Sequence, residues 1–399
     1  VSDKPRLIWN SNSPLAGTGY AVQTALFAPR LKDKWNIAIA AFYGVEGSPI
    51  SFQGVPVYPG LGQTYGNETI RDHASVHFGG DLRGGLTFTL QDVWVLNPAI
   101  WREMNSVHWT PIDHEPCPPP ISGYFHATAA VPIAMSRFGE EQLRNAGVEP
   151  LYCPHGVDTS TYKPVPKAEA REATNIPKDA FVVGMVAANK GNPPRKCFME
   201  AFQAFKAFRD RHPEAILYLH TEMSGKFDGV NIPEAIDLAG VDRSSVVFCD
   251  QYRVVHYPFP PETMAKIYSS FDVLLMASGG EGFGVPTVEA QACGVPVIVS
   301  DFSAQPELVG AGWTVSGTRH YTPLKAWQFI PNVEDMVAAL EAAYGRSRAE
   351  RREDARKARK LAESYDVERV LHDHMIPALD AAWENFEARK PMKLEPVAA

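Results

Sequence analysis

The sequence predicts an α/β chain of two parallel-sheet units, each covered by helices on both faces and joined by a short linker. Three observations carry this. Short apolar runs at 181–187, 273–276 and 296–299 alternate with helical patterns, as parallel strands buried on both faces do. An earlier set of strand-like segments, at 7–9, 37–42, 55–58, 86–95, from Val107 and at 129–134, alternates with helices and loops in the same way. Between the two sets, residues 163–179 hold Pro164, Pro166 and Pro177 among charged residues, a composition that buries little and bends readily. The divisions are therefore 1–163, a linker at 164–179, a second unit at 180–366 and a terminal segment at 367–399. At 399 residues and 45% hydrophobic content the chain can fill more than one core.

The richest stretch is 277–301, ASGGEGFGVPTVEAQACGVPVIVSD. A buried strand runs into a turn holding Gly279, Gly280, Gly282 and Gly284, Pro286 opens a helix, Gly294 ends it, and a second apolar strand follows. Glycines let a backbone approach a ligand closely, and a helix start offers unpaired N–H groups and the positive end of its dipole, which suits a diphosphate. Glu281 in the loop and Glu289 in the helix, with seven residues between them, do not suit phosphate. They suit hydroxyls: Glu281 those of a sugar, Glu289 the paired hydroxyls of a ribose.

Two other loops carry candidate chemistry. After the strand at 181–187, residues 188–196 (ANKGNPPRK) end in the adjacent cations Arg195 and Lys196, ahead of a helix with Phe198, Phe202 and Phe205 on one face. After the first strand, Gly17 and Gly19 flank Thr18, a good helix cap, before a helix whose apolar positions are Val22, Ala25 and Leu26. That glycine turn either faces phosphate or is a plain tight turn. Strand ends are where α/β proteins place their chemistry, and His108, Asp113, His114 and Glu115 cluster in HWTPIDHEP at 108–116. Asp113 and His114 are the candidates there. His155 reads as a turn residue with a polar partner, and His220 as either packing or nucleotide-site lining.

The wording EGFGVPTVEAQACGVPV at 281–297 resembles the Glu-x7-Glu element of the family 4 retaining glycosyltransferases, without departure at its defining positions. The segments SRFGEEQLRNAG and YCPHGVD also resemble that family's elements. The resemblance implies a GT-B architecture, two Rossmann-like domains with parallel sheets facing an interdomain cleft. The second would hold a nucleoside diphosphate sugar and the first the acceptor, with a final crossover helix carrying Leu371, Met375, Leu379 and Trp383 back to the first. It implies glycosyl transfer to a hydroxyl with retention, by a front-face route without metal or cofactor, from a UDP- or GDP-linked donor. By the same resemblance Gly17, Gly19, Arg195, Lys196, Gly282, Phe283, Gly284, Val285 and Glu289 bind the donor. Glu281 orients the sugar, Arg195 and Lys196 hold the leaving diphosphate, and Asp113 or His114 lies near the reacting sugar. The 188–196 loop is longer than the family's common version, and HWTPIDHEP departs from its commoner patterns.

A nucleotide-sugar epimerase, a sugar phosphorylase and a noncatalytic sugar- or nucleotide-binding module share parts of the pattern. A formal net charge of −8 gives no general footprint for nucleic acid, which stays among the open acceptor classes. The basic run at 346–360 reads as a solvated helix face. No apolar run approaches the roughly 18 residues that span a bilayer, so stable membrane insertion is not expected. Five widely spaced cysteines without CxxC pairs suit a reducing cytoplasm.

Overall fold

The computed structural model describes residues 4–62, 65–191 and 193–389; residues 390–399 of the expected terminal segment and Asn192 of the cationic loop lie outside these. The first sheet has eight strands: β1 (Arg6–Asn12), β2 (Asn36–Glu46), β3 (Ile50–Phe52), β4 (Val55–Gly60), β5 (Leu86–Leu90), β6 (Asn105–Thr110), β7 (Val131–Ala134) and β8 (Leu151–Tyr152). Their order is β3-β4-β2-β1-β5-β6-β7-β8, parallel except for the β3–β4 pair. The second sheet contains β9 (Phe181–Val186), β10 (Ala215–His220), β11 (Val246–Phe248), β12 (Val273–Met276), β13 (Val297–Ser300) and β14 (Gly312–Val315). It is parallel, in the order β11-β10-β9-β12-β13-β14. Both orders reverse direction once, between β1 and β5 and between β9 and β12. The loops leaving those strands diverge to opposite faces and open a crevice at the strands' carboxyl ends, the usual ligand position in such sheets.

Aromatic packing joins the central strands of the first sheet. Trp9 lies 4.2 Å from Phe88 between ring centroids, and Trp109 meets Phe27 edge-on at 5.5 Å. Each indole N–H is satisfied inside the core, Trp9 by Thr24 Oγ1 at 3.1 Å and Trp109 by the Cys153 carbonyl at 2.7 Å. These bonds explain a departure from the expected helix face. In the helix Gly19–Leu31, Val22 is exposed, while Gln23 and Thr24 are buried with Phe27, Ala28 and Leu31. Gln23 bonds both ways to the backbone of Gly156, so two polar side chains occupy the inward face because each finds a partner there.

Three further expectations change. The strand expected over 86–95 stops at Leu90, and Val93–Val95 is a 3₁₀ turn. The linker contains a helix, Lys167–Ala173, docked on the second unit: Arg171 reaches Asp272 at 2.7 Å and Lys167 reaches it at 2.5 Å. Asp272 also accepts from the Val182 amide at 2.8 Å, so the supposed spacer is pinned to the foot of β9. An unexpected antiparallel hairpin, β15 (Gly317–Tyr321) and β16 (Trp327–Pro331), leaves the second unit and pairs with Glu115 of the first through Trp327.

The basic run falls in the helix Arg348–Ser364, opened by a Ser347–Glu350 capping box. It is more than a solvated face, because Arg359 donates to the carbonyls of Thr159, Tyr162 and Ala292. A cavity of about 220 Å³ at the amino ends of β12 and β13 is lined by Lys167, Asp272, Trp313, Arg346 and Arg351. Its cations are engaged structurally: Arg351 also holds the Tyr344 carbonyl at the end of a helix, where positive charge is favoured.

The chain crosses between units twice, side by side, where Val157 and Tyr365 to Val367 exchange backbone bonds of 2.9 and 3.0 Å. The terminal segment then returns to the first unit. It is helical without a break from Val367 to Ala388, as expected, with a π-turn at Leu371–Met375 before Ile376–Ala388. Leu371, Met375 and Leu379 are buried, Trp383 meets Trp35 edge-on at 6.2 Å, Lys34 pairs with Asp380, and Arg30 meets Glu368 at 2.7 Å. No described helix is long and apolar enough to cross a membrane.

Asp272→Ala strands the buried Arg171 and should cost about 3–5 kcal/mol, read as a lower denaturant midpoint. Removing the exposed Lys206 partner of Asp210 should cost less than about 1 kcal/mol. Equal midpoints for the two variants would show that the docked linker helix does not depend on this carboxylate.

Candidate functional site

The site forms where the two switch-point strands of the second sheet end. β9 leads into the loop with Arg195 and Lys196, β12 into the glycine loop, and because β9 and β12 are neighbours the two loops meet. The Gly279 amide donates to the Arg195 carbonyl at 2.7 Å. Arg195 Nη1 lies 3.0 Å from Glu281 Oε2 and also reaches the Gly280 carbonyl, while Lys196 Nζ pairs with Glu281 Oε1. Glu281 is 7% exposed. Burial pushes its carboxyl up, but Arg195 and Lys196 together override that and hold it down at about 2. The carboxylate expected to face a sugar is thus engaged by the two cations expected to face a diphosphate.

The first unit closes the cluster. Asp113 Oδ1 accepts from His114 Nδ1 at 2.6 Å, and its other oxygen lies 3.6 Å from Arg195 Nε. Burial raises Asp113, yet the His114 bond and Arg195 bring it below its ordinary value. The other polar residues of this strand end serve the fold. His108 is fully buried against Trp101 and Tyr124, with Nε2 3.1 Å from the Tyr124 hydroxyl. Glu115 pairs with Arg319 of the hairpin at 2.7 Å.

The loop glycines are needed here for a reason other than ligand access. A Cβ on Gly280 would stand 2.2 Å from the Asp113 carbonyl oxygen, and one on Gly282 would stand 2.3 Å from Pro111 Cβ. Both positions are compressed against the first unit's strand end. Gly284 differs, with φ of +114° as it caps the helix Val285–Ala292, and Gly284, Val285 and Pro286 form the partly exposed start of that helix. The Phe283 side chain points away from the loop, packed between His155 and Tyr365 at 5.3 and 5.4 Å. His155 is a buried packing residue against Trp109, and its Nδ1 lacks the polar partner expected of it. His220 packs on Phe259 at 4.6 Å.

Glu289 sits one face away on the same helix, 7% exposed, and accepts from the Tyr268 hydroxyl at 2.7 Å. Burial raises its carboxyl, against the Tyr268 and Tyr162 hydroxyls that stabilise the charge. Gly17 approaches Pro258 of the second unit, at 3.8 Å from a Cβ position, and Thr18 caps the following helix as expected.

Two residues at the cluster were not anticipated. Asp92, just past the end of β5, is raised to about 6 by burial and by Asp113, against the pull of Arg195. Tyr20, in the first turn of the helix Gly19–Leu31, is raised by burial and then by Asp92 and Asp113. The available signal was positional: both follow strands at the first sheet's own switch point. Among the described residues no group of three or more metal-ligating side chains comes together.

Gly282→Ala should prop the glycine loop away from Pro111. We expect a loss of about 1–3 kcal/mol and a larger radius of gyration by small-angle scattering; an unchanged radius would contradict the tight approach.

Comparison with known proteins identifies the second unit. Residues 180–344 match the family described as Glycosyl transferases group 1. The D-inositol 3-phosphate glycosyltransferase of Actinosynnema mirum is 30% identical over 167 residues, covering 41% of this chain and 38% of that protein. Its counterpart in Gordonia bronchialis is 27% identical over 271 residues, 66% of this chain and 53% of that protein. The alignments thus span about half or less of these relatives' lengths. Solved structures are similar over nearly the whole chain. Sucrose-phosphate synthase from Thermosynechococcus elongatus superposes with a TM-score of 0.74 at 16% identity, covering 97% of this chain and 100% of that one. Anabaena HepE, solved in complex with UDP and glucose, gives 0.68 at 16% identity, with 94% and 100% covered. The chain therefore has the GT-B fold, and its second unit matches the group 1 glycosyl transferases.

Proposed function

We propose that this chain is a glycosyltransferase that moves a sugar from a nucleoside diphosphate sugar to a hydroxyl acceptor, with retention and without a metal ion. The carrying observation is the convergence of Arg195 and Lys196 on the glycine loop beside an open helix start, within the segment that matches the group 1 family. The relatives' names and the UDP and glucose in the HepE complex support the donor class.

The chemistry follows from charge. Breaking the bond between the anomeric carbon and the phosphate oxygen leaves both electrons on the diphosphate and positive character on the sugar. Arg195, Lys196 and the amides at Gly284 and Val285 would stabilise the departing diphosphate. The arriving diphosphate competes with Glu281 for the cations and frees that carboxylate to accept from sugar hydroxyls. Glu289 would meet the ribose with the acceptor capacity left by two tyrosine hydroxyls, since a carboxylate offers about four lone-pair sites. The acceptor oxygen then bonds to the anomeric carbon on the face the diphosphate leaves, and its proton passes to the leaving phosphate oxygen. Asp113, held by His114 at 2.6 Å, would face the acceptor from the first unit. Two side-chain cations supply the charge for which other transferases use a divalent ion.

Incubation with UDP- and GDP-linked sugars should release nucleoside diphosphate at the same rate with and without a chelator. Lys196→Ala should slow release roughly 10²- to 10³-fold, and Glu289→Ala should also lower it steeply. Unchanged rates in both variants would remove this site, and an epimerised donor formed without acceptor would replace the reaction.

A further inference from the structure

The second unit sends one carboxylate across the cleft into the backbone of the first. Glu307 lies in the turn Pro306–Leu308, and its Oε1 and Oε2 accept from the Arg137 amide at 3.1 and 3.0 Å. That amide begins the helix Arg137–Asn145, whose cap Ser136 already spends its side chain on the Gly139 amide at 3.0 Å. Glu307 therefore serves a donor that the helix leaves unpaired. The segment carrying Glu307 also builds the donor-side loop. Ser303 Oγ accepts from the Glu281 amide at 2.8 Å, and Leu308 lies 3.5 Å from a Cβ position on Gly284. Phe302 continues the contact, 6.0 Å from Phe138 of the helix and stacked on Phe329 of the hairpin at 5.4 Å.

We infer that Glu307 is a positioning residue: it clasps the first unit's helix start and so fixes the loop with Glu281 and Gly284 against the Pro111 to Asp113 strand end. Its contact with Arg137 is to the backbone, because the Arg137 guanidinium is taken by Glu140 at 2.6 Å and lies 3.5 Å over the Tyr152 ring. The charged and titratable groups facing Glu307 are Arg137 and Glu140 from the helix, Tyr152 from β8, and Tyr365 from the second crossing. Burial raises the Glu307 carboxyl to about 7 in spite of the amides. A carboxyl raised in the clasped state and ordinary in the open one takes up a proton on closing. The clasp is therefore strongest below the ordinary carboxylate range and is lost as pH rises through about 7.

The test reads the distance between units in the protein alone. Cysteines placed at the exposed Val76 and Leu238, one in each unit, accept a fluorophore pair while the five native cysteines are buried. Energy transfer should fall in Glu307→Ala and persist in Glu307→Gln, which keeps an acceptor for the Arg137 amide. Transfer in the wild type should fall between pH 6 and 8.5, whereas Glu307→Gln should not respond. Unchanged transfer in Glu307→Ala, or a pH response shared by Glu307→Gln, overturns the clasp. If Glu307→Ala does not fold, the wild type and Glu307→Gln still decide it. The kinetic consequence rests on the proposed glycosyl transfer: kcat for nucleoside diphosphate release should drop at least about tenfold in Glu307→Ala with little change in donor KM. A wild type that releases no nucleoside diphosphate would defeat that reading and leave the distance measurement to judge the clasp.

Discussion

The pairing of Glu281 with Arg195 and Lys196 is the interaction on which the rest of the site depends. Two adjacent, only partly exposed cations at a strand-end crevice need a carboxylate between them to offset their mutual repulsion. The sheet order supplies it, since β9 and β12 are neighbours and deliver the cations and the carboxylate to one place. Asp113 and Asp92 add negative charge from the first sheet, and burial together with Asp113 raises the Asp92 carboxyl to about 6. The cluster is close to electrical balance on its own terms. Under the proposed function, an entering diphosphate would compete with Glu281 for these two cations.

A second constraint is the closeness of the two units. Gly280 and Gly282 leave no room for a side chain against Asp113 and Pro111, the hairpin pairs with Glu115, and Glu307 reaches the Arg137 amide. These contacts join the two units at three places, and the chain crossing at Tyr365 packs against Phe283. The glycine loop and its helix start are thus positioned by backbone and side-chain contacts from the opposite unit. Access to the site and alignment of its groups are set by the same surfaces.

Much of this was legible in the sequence because it depends on local pattern. Continuous apolar strands, a glycine turn and a helix opened by Pro286 specify one supersecondary unit, and Arg195 and Lys196 stand out as adjacent cations between a strand and a helix start. What the sequence hid depends on tertiary partners. Gln23 and Thr24 look like surface residues until Gly156 and Trp9 are seen to satisfy them. The proline-rich linker looks unstructured until Asp272 collects Lys167 and Arg171. Asp92, Tyr20 and Glu307 carry no motif, and they matter because the sheet's switch points and the closed cleft bring them to charges distant in sequence. The glycines at 280 and 282 were legible as special positions, but their cause lies in the opposing strand end.

The central claim is that Arg195 and Lys196 recognise the second phosphate of a nucleotide. Calorimetric binding of a nucleoside diphosphate and of its matching monophosphate tests this most directly. The wild type should prefer the diphosphate by at least about tenfold, equivalent to about 1.4 kcal/mol, and the preference should disappear when Arg195 and Lys196 are both replaced by alanine. Equal affinities in the wild type, or a preference that survives the double replacement, would contradict it.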